Sequence, residues 1–482
     1  MTAPERDDGD LSLSAFPAAA GSLRQGVAAP PAKASAGLVA CAAVAASLLS
    51  ALILRNGIDA SPDGWGYWEA SISLLEGDGF QRWMGQAIWE WPPLFPAYLA
   101  AVQGMGRTTG AWICTAVSLL CAANAAAWGF FALGIAPGND ARARIVRVLS
   151  IGFVTVFVPL CGLQLLANLM ALALVGVAAG IVVRMVEPQP KGEFIRRSAA
   201  LAMFLLLALL THHATVAFVA ACAGVLAVSP QQAIRTRALG AGLALATVVP
   251  WTLSRWWLDQ MTGHRVAPGR YAFVEYVEQS LDGIGRLFMS AEPWSHSLRI
   301  GAGVLMCAAV AGLLVAHRQA AISLRCRAAL MLAAGNFLAL LAVFSATWVM
   351  DPLSSRFLWQ VPLIIVPVLL CAASHRPALA LALAALLTLN AAVRTAAWAH
   401  SALLPALPAS DATRTDGRIL PWYFVSFRHP ENAPSGTRAI HVPTYSWLDR
   451  WHRLPEIPEK ERGKVRMAPL AGPSNATGSD RR

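Results

Sequence analysis

Asp63, Tyr67 and Trp65 stand together in a stretch too polar to lie in lipid, flanked by runs that are almost entirely apolar. A carboxylate held at a membrane surface beside aromatic rings can act as a general base toward an acceptor hydroxyl. The same carboxylate in the first turn of a helix is also what the helix dipole favours, and both readings fit Asp63. Asp59, four residues earlier, fits a turn residue or, with Asp63, a pair of carboxylates sharing a divalent metal ion such as Mg or Mn. Later in the chain, Asp351-Pro-Leu-Ser-Ser-Arg356-Phe357 brings a second carboxylate and a guanidinium to the end of an apolar run. Arginine can hold a phosphate through two parallel hydrogen bonds, or it can snorkel to headgroups. Arg265 and Arg270 lie in a basic, Gly-containing loop and fit a phosphate contact or a solvated surface equally well. His212 and His213 are adjacent; on a helix they would point about 100° apart, which disfavours a joint metal site. They read instead as interfacial or substrate-contacting residues.

The elements that must position these residues are apolar helices. The chain has 482 residues, 56% hydrophobic and 13% charged, a composition of membrane proteins. Apolar runs fall at 37–54, 111–135, 146–161, 163–184, 198–211, 214–228, 238–257, 299–316, 328–349, 357–373 and 377–397. This predicts an all-α integral membrane protein with about eleven transmembrane helices. The net charge of +11 comes from Lys and Arg clustered between the runs, which marks topology and anionic lipid rather than nucleic acid. With the N-terminus inside, the short inner loops hold Arg142/Arg144/Arg147, Lys191/Arg196/Arg197, Arg235/Arg237, Arg318/Arg325/Arg327 and Arg376. The opposite loops around Gln164, His212 and Asp351 are nearly free of basic residues. The alternation follows the positive-inside rule.

The expected organisation is a disordered cytoplasmic tail over 1–35, a transmembrane domain over 36–400 and an external tail over 401–482 whose last twenty or so residues are disordered. Two large external loops, 56–110 and 258–298, interrupt the transmembrane domain. The first predicts a pair of amphipathic helices on the membrane surface: Pro62 to Glu76, ended by Gly77-Asp78-Gly79, and a second from Leu94 to Val102. In the first of these, Tyr67, Ser71, Leu74 and Leu75 share one face and Glu69, Ser73 and Glu76 another. The eight cysteines show no metal-binding or disulfide spacing and read as apolar filler. No internal repeat is visible, which weighs against a transporter built from two related halves.

The run D63-G-W-G-Y67-W-E-A-S71-I-S-L74-L75-E76-G77-D78-G79-F80, followed by W91-P-P-L-F-P96, resembles the first external loop of the GT-C glycosyltransferases. Asp351 to Leu358 resembles a second GT-C feature, with Phe357 where Tyr is common. These are polytopic enzymes that take sugars from polyprenyl-phosphate donors; protein mannosyltransferases and aminoarabinose transferases are among them. The resemblance implies an inverting transfer on the external face of a bacterial-type plasma membrane, with release of polyprenyl phosphate. It implies Asp63 as catalytic base, Arg265, Arg270 and Arg356 as donor-phosphate ligands, and Tyr67 and Asp351 as substrate contacts; where related sequences often have Arg-Tyr this chain has His212-His213, read as substrate contacts from their own position. One departure stands out. Related sequences carry an acidic step at the outer start of the fourth helix, where this chain has Gln164-Leu-Leu-Ala-Asn168, with no carboxylate. Two other classes remain alongside the enzyme: a transporter or flippase of lipid-linked precursors, and a membrane scaffold.

Overall fold

The computed structural model describes residues 32–59, 62–80, 91–105, 112–136, 138, 140–229, 231–262, 272–289, 295–316, 323–346, 353–374, 377–403, 418–419, 440–443 and 465–468. Arg265, Arg270 and Asp351 lie outside the described residues, as do 1–31 and most of the tail beyond Leu403.

Fifteen helices make up most of the described chain. In order they are α1 (Ala32–Ile53), α2 (Pro62–Glu76), α3 (Leu94–Gly104), α4 (Trp112–Ile135), α5 (Ala141–Cys161), α6 (Ala167–Met185), α7 (Lys191–Leu209) and α8 (Val216–Ala227), followed by α9 (Ile234–Ala246), α10 (Val248–Thr262), α11 (Phe273–Phe288), α12 (His296–Ala316), α13 (Leu324–Ala346), α14 (Gln360–Ala373) and α15 (Pro377–Leu403). Each apolar run read from the sequence contains a helix, and the run at 238–257 is divided at Thr247 into α9 and α10. Among the described residues, five helices are long and apolar enough to cross a membrane: α1, α4, α5, α6 and α13. Shorter apolar helices accompany them, among them α8, α14 and parts of α12 and α15. These helices make the chain an integral membrane protein.

Four short strands add to the helical architecture. β1 (Ile58–Asp59) pairs antiparallel with β2 (Arg418–Ile419), which ties the segment after α1 to the C-terminal region. β3 (Ile440–Pro443) pairs in parallel with β4 (Val465–Ala468). β4 is the last described segment of the tail.

The polar bonds sort the helix ends into two groups. At one end, Arg325 at the start of α13 bonds Glu187 at 2.5 Å, just past α6, and donates to Gly134 O at the end of α4. Arg184 donates to Phe130 O and lies 3.8 Å from the Phe130 ring centroid. Arg197 at the start of α7 donates to Arg184 O, and Arg147 at the start of α5 closes onto Gly138 O. At the other end, Leu94 N donates to Leu210 O, joining the start of α3 to the end of α7. Leu353 N donates to Gln279 Oε1 of α11. Asn168 Nδ2 at the start of α6 donates to Arg356 O. The basic residues of several predicted inner loops thus meet one another, while the candidate site residues gather at the opposite end.

The α2 segment departs from the expected surface helix. Gly64 and Gly66 to Ser73 are all buried; Glu69 is 4% and Ser73 3% exposed, although the sequence pattern puts both on a polar face. The reason is that α2 packs within the main core, against α3 and Trp91, so that more than one of its faces is covered. A single-stripe pattern captures only one covered face. The ends of the helix agree with the sequence: it starts at Pro62, and Gly77 (φ 92°) and Gly79 (φ 77°) take the left-handed conformations that stop it. The second helix of this loop runs two residues further than expected, to Gly104.

Candidate functional site

The site is built where the first loop meets the turn before α14. Pro62 opens α2 and puts Asp63 in its first turn. Gly66, one turn on, is what lets the helix approach Trp91, because a Cβ there would overlap the indole ring. Trp91 in turn packs on Tyr67, with ring centroids 5.2 Å apart, and Tyr67 meets Phe95 edge-on at 5.0 Å. The spacing Asp63-Gly-Trp-Gly-Tyr67 and the Trp91-Pro-Pro-Leu-Phe95 start of α3 are therefore one packed unit. Tyr67 is 3% exposed; its ring serves to hold α2 on α3.

The second part comes from the opposite end of the sequence. After α13 the chain makes a 3-10 turn at Ser355–Phe357, closed by Phe357 N to Ser354 O. Gly283 of α11 lies against the backbone of Ser354 and Ser355, and Phe357 packs edge-on against Phe344 at 5.0 Å. These contacts fix Arg356, whose Nη1 donates to Asp63 Oδ2 at 3.0 Å. The side chains of this ion pair are 19% and 32% exposed, so it is partly shielded from solvent. The two stretches singled out in the sequence are thus joined side chain to side chain across 293 residues.

His212 and His213 come to the same region from α7 but not on a helix. His212 is extended (φ −155°, ψ 124°) and caps a 3-10 turn at His213–Thr215. Its Nδ1 accepts the Ala214 backbone N–H at 3.2 Å, so a neutral ring carries its hydrogen on Nε2. Burial and the nearby Arg356 guanidinium push its pKa down to about 3. His212 packs on Phe357 at 5.6 Å, while His213 turns away and its Nδ1 accepts from Trp251 Nε1 at 2.9 Å. The two histidines diverge as expected, through the turn rather than through helical rotation.

Behind Arg356 is a cavity of about 40 Å³. Its walls come from α6, α8, α13, α14 and the two 3-10 turns, and include Asn168, His212, Asn336, Arg356, Trp359 and Gln360. Asn336 is 1% exposed, and its Nδ2 has no hydrogen-bond partner among the described residues. The sequence reading passed over Asn336, though a lone amide inside the apolar run of α13 is the kind of signal that marks a site in a membrane helix. Asn168 was singled out only because no carboxylate stands near it.

No three His, Cys, Asp or Glu side chains converge among the described residues, and the Asp63 carboxylate already accepts from a guanidinium. Asp59 enters only through its backbone in β1, its side chain lying outside the described residues. Arg265, Arg270 and Asp351 cannot be related to the site on the same ground. What the described geometry offers is a carboxylate, a guanidinium and a neutral imidazole around a small cavity, at one end of a helical bundle.

No known family profile matches the chain, and no curated protein matches it. Two solved structures are similar. One is ArnT from Cupriavidus metallidurans bound to undecaprenyl phosphate, at 13% identity over 85% of this chain and 83% of that one, with a TM-score of 0.43. The other is the Archaeoglobus fulgidus oligosaccharyltransferase in complex with zinc and sulfate, at 14% identity and a TM-score of 0.39. The alignment with it covers 90% of this chain but 59% of that one.

Proposed function

We propose that this protein is a GT-C-like membrane glycosyltransferase, transferring a sugar from a polyprenyl-phosphate donor to an acceptor at the external face of the membrane. The observation that carries the reading is the 3.0 Å bond between Arg356 and Asp63, which unites the two stretches whose residues resemble the GT-C family. In this reading Asp63 removes the acceptor proton as the acceptor oxygen attacks the anomeric carbon. The carbon–phosphate oxygen bond breaks with inversion, and Arg356 stabilises the charge gathering on the leaving phosphate. Donor binding then has a defined first step: the phosphate competes with Asp63 for the guanidinium and frees the carboxylate for the acceptor. Arg265 and Arg270 are further phosphate ligands, and His212, His213 and Asp351 further substrate contacts. The eleven apolar runs are spans, the N-terminus is inside, and the loop holding Asp63 and the tail are outside.

The reading favours an enzyme over a flippase because, apart from the Asp282 cluster between α11 and the start of α12, the described ion pairs lie at helix ends, not along a path through the bundle. The test uses purified protein in lipid vesicles with decaprenyl phosphate carrying tritiated glucose or mannose, together with a membrane extract as acceptor source. Transfer of label with equimolar release of decaprenyl phosphate is expected. Movement of the intact lipid-linked sugar across the vesicle with no release would replace the enzyme by a flippase.

A further inference from the structure

The cavity behind Arg356 has a lining of unusual sign. Arg356 is cationic, and Asp63, the anion that neutralises it, is not part of the cavity wall. His212 is held neutral, with Nδ1 occupied by Ala214 N–H and Nε2 left as an N–H donor. Asn336 brings an amide whose Nδ2 is buried and without a partner among the described residues. Gln360 spends its Nε2 on Phe357 O, which leaves its carbonyl oxygen as an acceptor, and Thr215 Oγ1 donates to His212 O and can still accept. Among the described lining residues there is no Asp or Glu. Asn168 turns its Nδ2 to Arg356 O, and the rest of the wall is apolar and aromatic, with the rings of Phe218, Phe357 and Trp359.

Each feature selects. Donors and acceptors set singly among apolar surface suit hydroxyl groups, which both give and receive hydrogen bonds. Aromatic rings suit the C–H faces between such hydroxyls. By volume the cavity holds about three water-sized groups, which is one edge of a sugar ring with its substituents and not a lipid chain. An ammonium group placed there would meet the Arg356 guanidinium with no described carboxylate to pair with, and a desolvated unpaired charge is strongly disfavoured.

From this we infer that the cavity takes the hydroxyl-bearing edge of a neutral sugar and rejects an amino sugar, with Asn336 as its specificity-determining residue. The inference rests on the proposed use of lipid-linked sugars and adds the class of sugar. It makes Asn336 a reader of the ring, with no part in the bond-breaking step.

The experiment measures competition for the purified protein in nanodiscs among four probes: decaprenol, decaprenyl phosphate, and decaprenyl phosphate bearing glucose or 2-amino-2-deoxyglucose. The glucose-bearing lipid is expected to bind at least tenfold tighter than its amino counterpart at pH 7. Asn336→Asp, which puts a carboxylate in the same space, is expected to erase or reverse that ratio, an effect that mere loss of packing would not produce. Asn336→Leu should lower the advantage of the glucose-bearing lipid over bare decaprenyl phosphate. Decaprenyl phosphate that binds better than decaprenol while the two sugars bind within twofold of each other in the unmodified protein would overturn the inference and leave the proposed function standing. No preference for decaprenyl phosphate over decaprenol would overturn both. The ratio in the unmodified protein decides the matter even if the Asp variant does not fold.

Discussion

Asp63→Asn separates a catalytic carboxylate from a structural one. Asn is nearly isosteric and can still accept from Arg356 Nη1, so the substitution removes the charge and the proton-accepting capacity while keeping the bond in place. Its structural effect follows from exposure. With the side chains of Asp63 and Arg356 32% and 19% exposed, the pair is neither fully solvated nor desolvated. A pair of this kind contributes about 1 kcal/mol, and the favourable charge at the start of α2 adds a few tenths more. The chemical effect is larger: loss of a general base slows turnover by about 10²–10⁴-fold, or roughly 3–5 kcal/mol of barrier. The assay is the initial rate of labelled sugar transfer per inserted protein, with a thermal melt of the same preparation. The expected result is normal insertion, a small drop in melting temperature and almost no transfer. A second cycle adds Arg356→Gln to both backgrounds. If the two side chains act only as an ion pair, the double variant behaves like either single one. If one takes a proton and the other holds a phosphate, the double variant is slower than both. Near-normal transfer by Asp63→Asn, or a melt lowered enough to explain the whole loss, would refute the assignment.

Arg356→Lys keeps the charge but not the planar fork, so it should retain part of the donor affinity while Arg356→Ala retains little, as read by the KM for donor lipid. Gly66→Ala should displace Trp91, lower the melting temperature and slow transfer without touching a reacting group, while Gly37→Ala, where a Cβ meets nothing within 4 Å, should be silent in both assays. His212 gives a pH prediction with a definite sign: its folded pKa, about 3, lies below its unfolded value near 6.5. Between these values the unfolded chain binds the proton and the folded one does not, so stability should fall as pH drops from about 6.5 toward 3 and be unaffected by this group above that range. Melts of the protein and of His212→Asn across pH 4–8 should converge on the acid side, and parallel curves would remove the neutral-imidazole assignment. For topology, a cysteine replacing exposed Asp78 should react with an impermeant maleimide in intact cells, and one replacing exposed Arg144 only in broken cells. The reverse pattern would invert the proposed orientation.

The helices were legible because lipid leaves few alternatives. A run of about twenty apolar residues must satisfy its backbone internally, and helices formed in every such run of this chain. The two ends of the bundle differ in their contacts: Arg325, Arg184 and Arg197 meet at one end while Arg356 and Asn168 meet at the other. The two motif stretches were legible as residue types, but not their meeting. Nothing local to Asp63 or to Arg356 specifies a partner 293 residues away; that distance is closed by α11 packing on the Arg356 turn and by Trp91 docking on Gly66. Burial of Glu69 and Ser73 was hidden for a different cause, since periodicity reports how many faces are apolar and not how many are covered. Asn336 was overlooked because, in a long apolar helix, one amide weighs little in any average. Its cost falls instead on a buried amide NH2 group with no partner among the described residues. A membrane helix that keeps such a group in its interior has a use for a hydrogen bond there, and the cavity beside Arg356 is where that bond can be made.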